Sequence, residues 1–358
     1  MKILISSYTG LGNFILKTPL IQAIHKEYQN CQVDLIFGHS WGAENVLKNS
    51  ELVNKQYWLS PQFSMLKKIE MFRILRQQKY DIIILPFDAT PGFVMFLSLL
   101  FLNSSQIISH FSFHTLSIKE RLKIFLSLFF LPSVDWVPTL KGRHEIDLNL
   151  DLLQAVTKNN VSRDYQTIVT WNSENVTHFN LPELFLVIQP SAANGATTPK
   201  IWSPENFNKL IDQFLLKFSE MKVVLVGDAG DVSRLKGFCI LPNSNIINLL
   251  GKTTFNQLCN VLNSAQAVVA HDSGIMHVAN ALRVPLIALY GPTDYTRTAP
   301  LASTTYVLHS RNDCWRKMYG FQGSEKSIDK QYPNYYCMNG ITVDQAMSTL
   351  ENILRGKA

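Results

Sequence analysis

The sequence predicts an α/β protein with two doubly wound, Rossmann-like parallel sheets. Three observations carry that expectation. Short apolar runs alternate with helical patterns from the first residue onward. The alternation begins afresh after a polar stretch near the middle. The chain has 358 residues, 46% of them hydrophobic, enough for two domains with a core each.

In the first half, strands are expected at 2–7, 33–38, 56–59, 81–87 and 106–109, with helices at 14–29, 41–48, 63–78, 93–102 and 145–156. The stretch from Thr157 to Pro182 is rich in Asn, Thr and Ser and reads as a connection. In the second half, strands are expected at 184–189, 222–227, 246–249, 267–271 and 286–290, and helices at 204–218, 254–263, 274–282 and 343–354. Pro204 after Ser203 has the Pro-after-cap pattern of a helix start. The expected division is 1–165, a linker over 166–183, a second domain over 184–341 and a terminal helix over 342–358.

Composition excludes several classes. Thirty-three Lys and Arg against 27 Asp and Glu give +6, shared evenly between the halves, so no block stands out for nucleic acid. The apolar runs at 93–102 and 124–131 are shorter than the ~18–20 residues a spanning helix needs. They read as core helices or as a face resting on a membrane, with Lys119, Arg121 and Lys123 before the second run. MKILISS reads as a first strand and not a signal peptide, which gives a cytoplasmic expectation. Cys31, Cys239, Cys259, Cys314 and Cys337 are odd in number and scattered. Free thiols are therefore expected, although Cys314 and Cys337 flank a loop that would let them approach.

Several turns carry polar chemistry. Gly10-Leu11-Gly12-Asn13 follows the first strand, where two glycines permit a tight turn. A dinucleotide fingerprint is incomplete, because Ile15 stands where its third Gly belongs. An apolar strand runs into His271-Asp272-Ser273-Gly274, with His277 one helical turn after Ser273. Ser273 is the expected cap of a helix whose N–H groups face phosphate oxygens. Ser191 follows another strand, Lys200 offers a point charge, Gly227–Asp231 supplies glycines and carboxylates, and Gly291-Pro292-Thr293-Asp294 closes the set. Loops of this kind along one sheet edge describe a pocket for a nucleoside diphosphate.

These pieces resemble glycosyltransferase family 9, the ADP-heptose:lipopolysaccharide heptosyltransferase family. The resemblance runs from Gly10–Asn13 and the Ile15–Ala23 helix through His144-Glu145, Lys200-Ile201-Trp202, Asp272-Ser273-Gly274-x-x-His277 and Gly291–Asp294 to Cys337-Met338. It implies a GT-B fold of two Rossmann-like domains facing a cleft, and inverting transfer without a metal or other cofactor. The implied donor is a nucleotide-diphosphate sugar, ADP-heptose above others, and the implied acceptor a lipid-linked lipopolysaccharide core or related surface glycan. Ser191, Lys200, Asp231, Asp272, Ser273, Gly274 and His277 fall on the donor side; Gly10, Gly12, His144 and Glu145 fall on the acceptor side. The absence of Asp-x-Asp agrees with a metal-free diphosphate site.

One position departs from the family pattern. Its members usually carry Asp after the Gly-x-Gly turn, in the place of a general base, and here that residue is Asn13. An amide takes up no proton at neutral pH. Three readings stay open: another carboxylate serves, with Asp88 the candidate at a strand end; Asn13 orients an acceptor that needs little help; or the protein binds ligands without turnover.

Overall fold

The computed structural model describes residues 1–8, 10–38, 42–60, 62–86, 106–111, 134–139, 142–192, 199–230, 244–316, 328 and 330–356. They form two compact units, Met1–Thr170 and Trp171–Ala358. Each contains a six-stranded, all-parallel sheet among the described residues.

The first sheet holds β1 (Lys2–Ser7), β2 (Gln32–Phe37), β3 (Lys55–Trp58), β4 (Ile82–Leu85), β5 (Gln106–Phe111) and β6 (Val134–Pro138), in the order β3-β2-β1-β4-β5-β6. The strand order reverses between β1 and β4, where a doubly wound sheet opens its ligand crevice. Burial of Ile3, Leu4, Ile5, Ile82, Ile83 and Ile84 explains why these strands read as continuous apolar runs. Around the sheet lie α1 (Leu11–Ile15), α2 (Thr18–Glu27), α3 (Met65–Gln77) and α4 (Glu145–Thr157).

The second sheet holds β7 (Phe185–Ile188), β8 (Lys222–Leu225), β9 (Ile246–Asn248), β10 (Ala267–His271), β11 (Leu286–Tyr290) and β12 (Thr305–His309), in the order β12-β11-β10-β7-β8-β9. The reversal falls between β7 and β10. Its helices are α5 (Pro204–Lys217), α6 (Phe255–Asn263), α7 (Gly274–Ala281), the one-turn α8 (Tyr295–Thr298) and α9 (Val343–Arg355). Ser203 caps α5, and Thr254 and Thr342 open α6 and α9 with capping boxes. Trp202, Phe207, Phe214, Val269, Ile287 and Leu350 belong to one buried cluster that joins α5 and α9 to this sheet.

Four expectations change. The long helix over 14–29 is two helices, because Pro19 at the start of α2 has no N–H to continue the ladder and Lys17 becomes the α2 N-cap. In 41–48 the described helical residues are one 3₁₀ turn, Ala43–Asn45, entered through Gly42 at φ +82°. Two strands escaped the pattern, β6 and β12. Finally, Cys314 and Cys337 are joined in a disulfide, whereas Cys31 and Cys259 are buried thiols. The runs at 93–102 and 124–131 lie outside the described residues. No helix among the described residues is long and apolar enough to cross a membrane.

Candidate functional site

All strands of the second sheet run the same way, so the loops leaving β11, β10, β7 and β8 share one edge and come from four adjacent strands. At the seam between β7 and β10 the sequence-predicted residues meet. Lys200 Nζ lies 2.7 Å from Asp272 Oδ2, with side chains only 15% and 12% exposed. Ser273 is the N-cap residue of α7, but its hydroxyl makes no cap: it donates to Gln189 Oε1 at 2.6 Å. Among the described residues the first turn of α7 therefore starts without a side-chain acceptor on its N–H groups, which suits an anionic ligand. Gly274 begins that turn. His277, one turn on, is buried at 3% exposure, and Ser191 is wholly buried two residues after Gln189.

The electrostatics fit a fixed ion pair. Burial pushes the Asp272 carboxyl upward, but the Lys200 ammonium, then His277 and the Thr293 hydroxyl, more than offset it, and its pKa ends below the ordinary value. Asp272 is thus an anion that holds the ammonium in place. A lysine carries three donors.

Two residues beneath this pair stood in the sequence motifs without a role of their own. His271, the last residue of β10, accepts the Trp202 N–H through Nε2 at 2.9 Å. Burial lowers its pKa to about 4, against upward pushes from the Ser191 backbone and Asp272, so the ring is neutral. Trp202 is fully buried and its indole N–H donates to the Ile341 carbonyl at 2.9 Å. Lys200 therefore stands at the end of a segment pinned to both β10 and the approach to α9. The signal was present in Ile201-Trp202 as apolar residues before a helix cap, but its partners lie 69 and 139 residues away.

In the first unit, Gly10 is the N-cap of α1 and Gly12 and Asn13 lie within it, at the end of β1 beside the β1/β4 reversal. Asn13 is half-buried. Lys17, 2% exposed, donates to Ser7 Oγ at 3.1 Å on the same edge. His144 caps α4, its Nδ1 accepting from the Ile146 N–H at 3.2 Å, and Glu145 opens that helix. They follow β6, three strands from β1, so the structure does not set them beside Asn13 in the sheet order; α4 returns toward α1 where Asn149 donates to the Leu16 carbonyl. Asp88 and Asp231 lie outside the described residues. Among the described residues no group of three His, Cys, Asp or Glu side chains is placed to hold a metal ion.

The model of glycosyltransferase family 9 (heptosyltransferase) matches residues 136–324, more than half of the chain. The chain belongs to glycosyltransferase family 9. It is a glycosyltransferase with the GT-B fold. Lipopolysaccharide heptosyltransferase 3 of Escherichia coli is 24% identical over 79% of this chain and 82% of its own length. The glycosyl transferase family 9 structure from Veillonella parvula superposes with a TM-score of 0.77 at 20% identity, covering 99% of this chain and 97% of that one. The E. coli heptosyltransferase WaaC with ADP superposes with a TM-score of 0.67 at 17% identity, covering 99% and 100%.

Proposed function

We propose that this family 9 glycosyltransferase moves heptose from ADP-heptose onto a lipopolysaccharide core or related lipid-linked glycan, with inversion and without a divalent metal. The observation that carries the reading is the Lys200–Asp272 pair beside the uncapped α7 N-terminus at the β7/β10 reversal. A nucleoside diphosphate leaving group needs its negative charge met as the glycosidic bond breaks. The α7 dipole and the Lys200 ammonium are positioned for that task. The related heptosyltransferase solved with ADP supports the nucleotide, and the relative named for lipopolysaccharide supports the acceptor class. Asp231 is assigned to the nucleoside, and Gly10, Gly12, His144 and Glu145 to the acceptor, in keeping with the family pattern. Work on a lipid-linked acceptor fits a cytoplasmic enzyme in peripheral contact with the inner membrane. The test is calorimetric titration with ADP, GDP, UDP and CDP, followed by transfer from ADP-heptose to a core acceptor. Preference for another base, or no transfer to any core acceptor, overturns the assignment.

Asn13 favours a second reading. With an amide where the family places a carboxylate, donor binding without turnover is expected unless another base serves. ADP binding with neither donor hydrolysis nor transfer would establish that silent form.

A further inference from the structure

Both halves of the Cys314–Cys337 disulfide reach the same loop of the donor side, residues Gly291 to Asp294. From Cys314 the path is short. Arg316 Nε lies 2.9 Å from Asp294 Oδ2, and its guanidinium sits 4.2 Å from the Trp315 ring centroid. Trp315 stacks with Tyr295, which stacks in turn on His309 at the end of β12. From Cys337 the path is shorter. Gly291 is packed so closely that a Cβ there would run into Met338 Sδ and lie 3.1 Å from the Cys337 carbonyl and 3.0 Å from the Pro199 carbonyl. Pro199 precedes Lys200, and three residues past Met338 the Ile341 carbonyl takes the Trp202 indole proton. The sulfurs themselves are buried, with Ile328 and Tyr332 around them.

We propose that the Cys314–Cys337 cross-link is a positioning element of the donor site: it ties the Arg316 arm and the Met338 arm together, so the loop from Gly291 to Asp294 and the Lys200 segment, itself anchored through Asp272 and Trp202, are held more tightly while it is oxidised. Donor affinity then follows the thiol state of this pair. The inference rests on the donor-site reading above and adds a control to it. Reduction consumes two low-molecular-weight thiols, or one dithiol, which become a disulfide; the Cys314–Cys337 bond takes up the two electrons and two protons and becomes two thiols. Cys314 and Cys337 touch no reacting atom in this scheme. They act through Asp294, Gly291 and Lys200.

The full-length protein, purified without reductant, is first alkylated after denaturation and mapped by mass spectrometry. Cys31 and Cys259 are expected to react directly, and Cys314 and Cys337 only after reduction. ADP is then titrated calorimetrically into oxidised, dithiothreitol-reduced and glutathione-reoxidised protein, well below the melting temperature. Reduction is expected to weaken ADP by roughly threefold to tenfold, the range for losing one or two modest positioning contacts, and reoxidation to restore it. In turnover the donor KM should rise by that factor with kcat at saturating donor held within about twofold, whereas partial unfolding would lower kcat instead. The double variant Cys314→Ser/Cys337→Ser should bind like the reduced form and ignore dithiothreitol. Equal ADP affinity in both redox states, direct alkylation of Cys314 and Cys337, or a double variant that still responds to dithiothreitol overturns the proposal. If even the oxidised protein ignores ADP, the donor-site reading fails and takes this inference with it.

Discussion

Lys200 and Asp272 meet at 2.7 Å although 72 residues separate them, and the carboxylate that fixes the lysine is the residue just after β10. The pair brings a cation to the α7 N-terminus with its charge already balanced. Lys200→Ala should weaken ADP by at least ~1.5 kcal/mol, about tenfold, as expected for a charge-assisted bond. Asp272→Asn should weaken it less, because the ammonium survives but is no longer held. Calorimetry decides, and unchanged affinity in Lys200→Ala removes that residue from the site.

A diphosphate met by a helix end and a lysine needs no bridging cation. Initial transfer rates should survive EDTA and gain nothing from added Mg²⁺ or Mn²⁺. A strict metal requirement would contradict this account of the leaving group.

For the acceptor proton, Asp88→Asn should lower kcat by ~10²–10⁴-fold, the usual worth of general-base catalysis, with donor affinity nearly unchanged. Asn13→Asp, which places a carboxylate at the end of β1, should raise turnover, or create it if the native protein is silent. A neutral Asp88→Asn together with an Asn13→Asp that gains nothing would move the search to His144 and Glu145.

Stability should begin to fall in acid above the ordinary carboxylate range. His271 is neutral in the fold with a pKa of about 4, below the ordinary 6.5, so the unfolded chain takes up this proton first. Between about pH 6.5 and 4 the unfolded state is favoured progressively, by up to ~1.4 kcal/mol per pH unit, and above pH 6.5 the effect vanishes. In His271→Gln, which keeps an acceptor for the Trp202 N–H, denaturant midpoints should be flatter across that window. Identical slopes would show that His271 is not the titrating group.

The buried strands were legible because burial on both faces leaves an uninterrupted apolar run, as in Ala267–His271 and Leu286–Tyr290, whose limits match the structure residue for residue. β6 and β12 were not, and both lie at sheet edges. Val134–Pro138 carries Asp135 and a proline, and Tyr306 in β12 is 43% exposed, so neither segment shows a core pattern. Within the candidate site, residue types pointed to the edge where they meet: a Lys, a Ser-Gly helix start and an Asp at strand ends. What they touch could not be read. The Ser273 hydroxyl looked like a cap and instead serves Gln189, 84 residues away, and His271 became visible as a pin only when β10 stood beside the Trp202 segment. The disulfide was missed for the same reason, since separation in sequence does not report distance in space.

The seam between β7 and β10 has a consequence for how the protein comes into being. Val269 pairs with Ile188 only after β8, β9, α5 and α6 have been laid down between them, so the proposed diphosphate cradle joins pieces of high contact order. A nascent chain that has released β7, β8 and β9 owns half a sheet and no binding site. A nucleotide bound as proposed above would recognise only the completed second unit, and saturating it would draw the folding equilibrium forward by mass action, about 2.7 kcal/mol at a hundred times Kd. Nucleotide abundance would in this way govern not only how fast the enzyme works but how many of its copies escape proteolysis while they mature.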